Sequence, residues 1–271
     1  MPSHTTTKRQ SRTAIDVLIP AIDKDLTTLP LVIDSVRKFV RHPIGQILIV
    51  APNSPRIKSL CVRKNCRFIN ENTVLPITKA HIHYSSKKWD RSGWLFQQLL
   101  KMGGSKFISK KFYLVIDADT VLIRPHRFRS GNKQIFYCRN WSQPEYFTTY
   151  RKLLGTKAPR PSSFVTHYML FEKSKLSKLK KKIASKHGTS WHSAIIRKIN
   201  KTKQFAFSEY ETYGNFLYAK NPKRVILKKA LNKSLSMNAR GLPKSKVAKL
   251  ARKYRSLSFH KRKCYVRKAK K

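Results

Sequence analysis

The chain has 271 residues, 40% hydrophobic and 11% aromatic, which supplies a sizeable core and excludes a purely disordered polyelectrolyte. Sixty Lys and Arg against twelve Asp and Glu leave a net charge of +48, so the surface must attract polyanions. Cys61, Cys66, Cys138 and Cys264 lack both zinc-site and disulfide-framework spacing, and reduced thiols are expected.

Residues 1–13 are polar and basic and are expected to form a disordered leader. They contain no apolar signal-peptide core. The run Ile15-Asp16-Val17-Leu18-Ile19-Pro20 then has the length and composition of a buried strand stopped by proline. A loop holds Asp23, Lys24 and Asp25. Apolar residues at Leu29, Val32, Ile33, Val36 and Val40 follow at amphipathic-helix spacing. Residues 46–51 (QILIVA) form a second strand, ended by Pro52-Asn53-Ser54-Pro55, and residues 66–70 a third. Strand, helix, strand at this length predicts a βαβ unit and a parallel sheet.

Residues 89–102 have helical periodicity through Trp94, Leu95, Leu99 and Met102, and Gly103-Gly104 ends them. Residues 111–116 (KFYLVI) are the strongest strand and run directly into Asp117. Beyond Arg124-Pro125 we expect a strand at 134–138, a helix at 145–154 and an apolar element at 164–171. Helices are expected at 173–184, 190–199 and 209–218, a late strand at 225–227 and a short element at 256–260. His81 and His83 are expected on a surface strand, and residues 261–271 form a basic tail. No stretch approaches 18 apolar residues, so no membrane-spanning helix is expected. The expected location is the cytoplasm, where the positive charge favours peripheral contact with the inner membrane face or a polyanionic polymer.

Twelve acids placed at random over this length would give roughly half of one acid-x-acid pair. The chain has three: Asp23/Asp25, Asp117/Asp119 and Glu209/Glu211. Two follow predicted strands and one opens a predicted helix. Open α/β sheets bind ligands beyond the carboxyl ends of their strands. A strand buried on both faces should not end in two carboxylates without compensation. Asp117 and Asp119, two apart in extended chain, point to one side and can share a divalent cation, which would bridge to a diphosphate.

The segment FYLVIDADTVLIRP resembles the DxD region of GT-A glycosyltransferases. The wider set IDVLIPAIDKDL, RSGWLFQQLLKM, VIDADTVLIRP, SFVTHYMLF, FSEYETYGNF and SFH is similar to a bacterial family of DxD-containing, GT-A-like transferases (DUF6492-like). The resemblance spans most of residues 14–260. It implies one GT-A-like nucleotide-diphospho-sugar transferase domain, with a mixed, mostly parallel central sheet flanked by helices. A nucleotide-binding half (about 14–125) would precede an acceptor-binding half (about 126–260). It also implies a nucleotide-diphosphate sugar donor, most naturally a UDP-sugar, and Mn²⁺ or Mg²⁺. By position, Asp117 would touch ribose or metal, Asp119 would ligate the metal directly, and His260 would complete the site. An imidazole ligand favours manganese.

Asp23, Asp25 and Asn53 lie where such folds hold the nucleoside. Turn and cap chemistry accounts for Asp25 and Asn53 as well. Arg91, at a helix start, or Lys101 can hold the diphosphate, with Gln98 beside it, while Trp94 is expected in the core. His167 is expected to line the donor or acceptor pocket. Ser208 and Glu211 fit a capping box, leaving Glu209 as the expected base for an acceptor hydroxyl, with Glu211 as the fallback. The competing function is non-enzymatic binding of nucleic acid or another polyanion, for which charge is the whole case. No specific nucleic-acid partner is expected, because no zinc-finger, RRM or KH signature occurs. A nucleotidyltransferase would show a Gly/Arg/Lys-rich loop where Pro20-Ala21-Ile22-Asp23 stands.

Overall fold

The computed structural model describes residues 11–260, so the leader up to residue 10 and the basic tail 261–271 lie outside the described residues. Its first strand, β1 (Ile15–Pro20), is buried at every position. Helix α1 (Leu29–Phe39) buries Leu29, Val32, Ile33 and Val36, the stripe that its spacing predicts. Strand β2 (Ile44–Ala51) follows, then α2 (Pro55–Arg63) and β3 (Arg67–Asn70). Helix α2 was not expected from the Pro-Asn-Ser-Pro stop. Ser54 caps it by accepting from Ile57 N at 3.3 Å, and Pro55 opens it where a missing N–H costs nothing.

A two-stranded hairpin, β4 (Ser85–Ser86) with β5 (Trp89–Asp90), precedes α3 (Ser92–Gly103). The helix starts later than its periodicity suggests because Trp89 and Asp90 pair backward, and Asp90 Oδ1 accepts from Ser92 N at 2.8 Å. His81 belongs to a short 3-10 turn, 79–81, rather than to a strand. Then come β6 (Phe112–Ile116), β7 (Thr120–Leu122), β8 (Arg129–Ser130), β9 (Lys133–Cys138) and α4 (Pro144–Leu154). The apolar element expected at 164–171 is strand β10 (Tyr168–Glu172). Helices α5 (Lys173–His187), α6 (Trp191–Lys198) and α7 (Glu209–Lys220) follow, then β11 (Val225–Lys229), β12 (Asn232–Leu235), α8 (Lys244–Ala251) and β13 (Ser256–Phe259).

The central sheet has the order β10-β6-β1-β2-β3, parallel except for β10, which runs antiparallel to β6. The fold is therefore α/β with a mixed, mostly parallel sheet. Side chains alternate between two apolar layers: Tyr113 and Val115 face one, and Phe112, Leu114 and Ile116 the other. Helices α1 and α2 contribute to the second layer and α3 to α7 to the first, as a parallel sheet requires. Two smaller sheets, β11-β9-β8 and β12-β13-β7, flank it. No helix among the described residues is long and apolar enough to cross a membrane.

One acid in β1 is structural. Asp16 is fully buried and accepts from Gln46 N (2.9 Å), Ser109 N (2.8 Å), Ser109 Oγ (3.0 Å) and Lys110 N (3.0 Å). It bolts β1 to β2 and to the segment entering β6. On the other layer, His126 is fully buried, its Nδ1 at 2.7 Å from Arg124 O and its Nε2 at 3.2 Å from Tyr168 Oη. Burial, with the guanidiniums of Arg255 and Arg124 adding to it, pushes the imidazole down from 6.5 to about 3.

Two predictions follow from this packing. A Cβ on Gly214 of α7 would lie 2.6 Å from the ring of the fully buried Phe164. Gly214→Ala should therefore lose about 1–3 kcal/mol in urea denaturation, and unchanged stability would show that the ring yields freely. Below pH 6.5 the unfolded chain protonates His126 while the folded chain does not until about 3, so stability should fall with acid across that window. The contribution approaches about 1.4 kcal/mol per pH unit, and His126→Phe should flatten the profile by that slope.

Candidate functional site

Two antiparallel registers assemble the site. Pairing of Tyr168 with Ile116 puts His167, just before β10, across from Asp117, just after β6, and Asp117 N donates to His167 O at 2.9 Å. Pairing of Ser258 with Thr120 puts the end of β13 across from the start of β7, and Phe259 N donates to Asp119 O at 2.9 Å. His260 follows directly. Segments separated by some fifty and ninety residues of chain thus converge where β6 ends. His167 adopts φ +70°, a left-handed backbone that an L-residue enters only under constraint.

Asp119, His167 and His260 each present one ligand atom, all within 4.8 Å of one another. His260 Nδ1 lies 2.7 Å from Asp119 Oδ2, and the two imidazoles are 5.1 Å apart between centroids. His260 Nε2 is buried with no partner among the described residues. Burial lowers the His167 pKa, with His260 acting in the same direction, and the bond to Asp117 opposes this only in part. A neutral imidazole is the form that ligates metals. One carboxylate and two imidazoles, one with an orphaned buried nitrogen, form a donor set suited to a divalent metal ion.

Asp117 lies behind this cluster. Its Oδ1 receives Lys101 Nζ at 2.5 Å and Tyr210 Oη at 3.3 Å, and its Oδ2 lies 3.1 Å from His167 Nδ1. Lys101 Nζ also meets Glu209 Oε1 at 2.7 Å and stands 4.6 Å from the centre of the Tyr210 ring. The Lys101 and Glu209 side chains are only 4% and 3% exposed, so water does little for either charge. Burial works against an ionised Asp117, but the ammonium and His167 outweigh it and hold the carboxyl well below its ordinary range. Burial likewise opposes charge on Lys101, and the two carboxylates outweigh it and raise its pKa. Glu209 goes the other way: burial raises it, Lys101 opposes this, and Asp117 adds to the rise.

The other residues predicted from the sequence fall into three groups. Asp25 accepts from Ile22 N at 3.0 Å within a 3-10 turn, 23–27, and the next residue but two, Thr28, donates to Ala118 O at 3.0 Å, tying this turn to the DxD segment. Burial, with smaller contributions from Asp119 and Asp117, pushes Asp25 up to about 6 against the bond from Ile22 and the charge of Lys24. Asp23 accepts from Ser54 Oγ at 2.5 Å, and Asn53 is exposed at the end of β2. These residues lie at the carboxyl ends of β1 and β2. Gln98 is buried on α3, with Oε1 accepting from Glu209 N at 3.2 Å and Nε2 without a partner among the described residues. Arg91 stands off this cluster, its guanidinium 4.8 Å from the Phe205 ring and 5.9 Å from that of Trp94.

Glu211 belongs elsewhere. Ser208 Oγ accepts from Glu211 N at 3.2 Å, which is half of the expected capping box. The Glu211 carboxylate does not return to Ser208. It accepts from Ser142 Oγ and Ser163 Oγ, both at 2.7 Å, and from Asn215 Nδ2 at 3.1 Å. Two residues along a helix point to nearly opposite sides, so only Glu209 reaches Lys101. Glu209 in turn is not free to extend into a cleft, because its side chain is buried against that ammonium. Lys101 therefore acts as a counter-ion below the site, not as a diphosphate ligand on its open side. The signal for this was a lone Lys inside the apolar run Leu99-Leu100-Lys101-Met102 on the buried face of α3. Tyr210, hidden by burial within the third acid pair, gave no comparable signal.

A family model described as "Family of unknown function (DUF6492)" matches residues 12–239. The chain belongs to this family. No curated protein matches it. Among solved structures, it is similar to galactosyltransferase LgtC in complex with donor and acceptor sugar analogs, at 12% identity and TM-score 0.49, covering 90% of this chain and 87% of that one. Mouse xyloside xylosyltransferase 1 in its apo form shows 12% identity and TM-score 0.47 over 91% and 97% of the two chains. The bifunctional glycosyltransferase WbbM, also apo, shows 15% identity and TM-score 0.46 over 92% of this chain, which spans about half (46%) of that one.

Within this family member the Lys101 ion pairs can be tested as a unit. Lys101→Met should cost about 3–5 kcal/mol by leaving two buried carboxylates unbalanced. Adding Glu209→Gln should recover part of that loss in denaturant titrations. Additive losses in the double variant would show that the two side chains are not coupled.

Proposed function

We propose that this chain is a metal-dependent glycosyltransferase of the GT-A kind, which uses a nucleotide-diphosphate sugar, in the first instance a UDP-sugar. The observation that carries the reading is the convergence of Asp119, His167 and His260 ligand atoms within 4.8 Å, immediately beyond the central strand β6. A Mn²⁺ ion bound there would supply positive charge to the diphosphate as it leaves the sugar. Asp119 and the two imidazoles would hold the ion. Asp117 would orient His167 through its Nδ1, an outer-shell role that fixes ring direction and tautomer.

The chain's own residues arrange the rest. Lys101 keeps Asp117 ionised, and Glu209 holds the Lys101 ammonium in place from the other side. The turn at 23–27, with Asp23 and Asp25, and Asn53 beyond β2 provide polar groups for the nucleoside at the carboxyl ends of β1 and β2. Glu209, closed in against Lys101, serves here as a positioning residue, and the base role expected of it from the sequence is not carried into this reading. Glu211, saturated by two hydroxyls and an amide, anchors α7 to the segments around Ser142 and Ser163.

Thermal unfolding with Mn²⁺ and UDP, together with nucleotide release from a panel of UDP-sugars, tests the assignment. A ligand at a hundredfold excess over Kd stabilises by about 2.7 kcal/mol, on the order of 5 °C in a domain of this size. Asp119→Ala should remove the Mn²⁺-dependent shift and nucleotide release, and His260→Ala should weaken both. Equal responses from wild type and Asp119→Ala would refute the metal site.

A further inference from the structure

A second concave site lies among the strands that flank the main sheet. Arg41, after α1, Arg124 and Arg127, after β7, Lys228 on β11 and Arg255, before β13, line one cavity of about 340 Å³ whose wall includes Tyr137. Its lining contains no acidic residue. Lys and Arg are 60 of 271 residues, so ten lining positions drawn at random would include about two, and this cavity has five. Another cavity of similar size, about 380 Å³, has Arg37 and Arg41 as its Lys or Arg residues among nine lining residues. High average charge therefore does not explain the concentration.

The five side chains come from segments up to 214 positions apart (Arg41 to Arg255), so it is the fold, not a local run, that gathers them. Arg41, Arg124, Lys228 and Arg255 are in no ion pair among the described residues. Arg255 is held in place, donating to Pro125 O at 3.2 Å with its guanidinium 6.0 Å from the centre of the Tyr137 ring. The guanidiniums of Arg124 and Arg255 both depress the pKa of neighbouring His126, after the larger effect of burial, so their positive field reaches the adjoining interior. Like charges gathered in a concave wall repel one another and focus potential on the space between them.

We propose that this cavity binds a phosphate group. Guanidinium forks match phosphate oxygens in pairs, and a compact dianion relieves the repulsion among the five cations. A concave site of this volume suits a headgroup or small anion rather than a polymer lying along a surface. The proposal does not depend on the metal site, which is formed by other residues.

Isothermal titration of the full chain with inorganic phosphate at about 150 mM salt, where long-range attraction is screened beyond ~8 Å, tests this. Arg124→Glu with Lys228→Glu should weaken binding at least tenfold. Lys178→Glu with Lys181→Glu removes the same charge from exposed positions of α5 and should leave binding unchanged. Unaltered Tm in the cavity pair will separate lost binding from lost folding, and if that pair is unstable, Lys228→Glu alone, at an exposed position, serves in its place. Flotation with vesicles containing phosphatidic acid identifies the source of the ligand. Vesicle binding that inorganic phosphate displaces, and that the cavity pair loses, assigns a lipid headgroup; saturable phosphate binding without vesicle binding assigns a free anion. Equal loss in both variant pairs, or no saturable binding, overturns the proposal.

Discussion

The arrangement depends on one buried ammonium. The central strand β6 is apolar on both faces and ends in a carboxylate that the fold largely encloses, a state that is costly without an opposing charge. Lys101 supplies that charge from α3 and is itself kept from isolation by Glu209 on α7. Three elements of one face are thus linked at the end of the sheet by a cation and two anions. Such a network adds little net stability compared with a well-packed apolar core. What it provides here is position: Asp117 is fixed, and through Asp117 so is the His167 ring.

Strand register supplies the remaining constraint. A slip of one residue between β10 and β6 would turn His167 away from Asp117, and a slip between β13 and β7 would move His260 away from Asp119. Buried alternation sets the first register, because Tyr168 and Leu170 must share a layer with Ile116 and Leu114. The second has polar locks: Thr120 Oγ1 lies 3.0 Å from Ser258 Oγ, and Asn232 Oδ1 accepts from the hydroxyls of Ser256 (2.7 Å) and Ser258 (3.2 Å). Hydroxyls in the interior of a small three-stranded sheet have this consequence for the site even though they stand outside it.

Much of this was legible from residue order. The apolar runs at 15–20, 46–51 and 111–116 located the parallel strands, and the scarcity of acids singled out Asp117 and Asp119. Features that depend on long-range pairing were not legible. Helix α2 is hidden behind a Pro-Asn-Ser-Pro stop that proves to be its cap, and β12 and α8 carry too weak a periodicity to stand out in a Lys-rich stretch. The acid pairs also resolve into different roles. Asp117 and Asp119 share a corner, whereas Glu209 and Glu211 part on opposite sides of α7, one toward an ammonium and the other toward hydroxyls. Helical geometry fixes that divergence; which partner waits on each side is set by the tertiary fold.

The last residue of the cluster has a bearing on how the protein matures. Asp119 and His167 emerge from the ribosome well before His260, and β13 can pair with β7 only after α8 has been made. A nascent chain, even with its main sheet already formed, therefore has two of the three side chains and an incomplete cluster. The three-residue cluster closes only when that late pairing of β13 with β7 has formed.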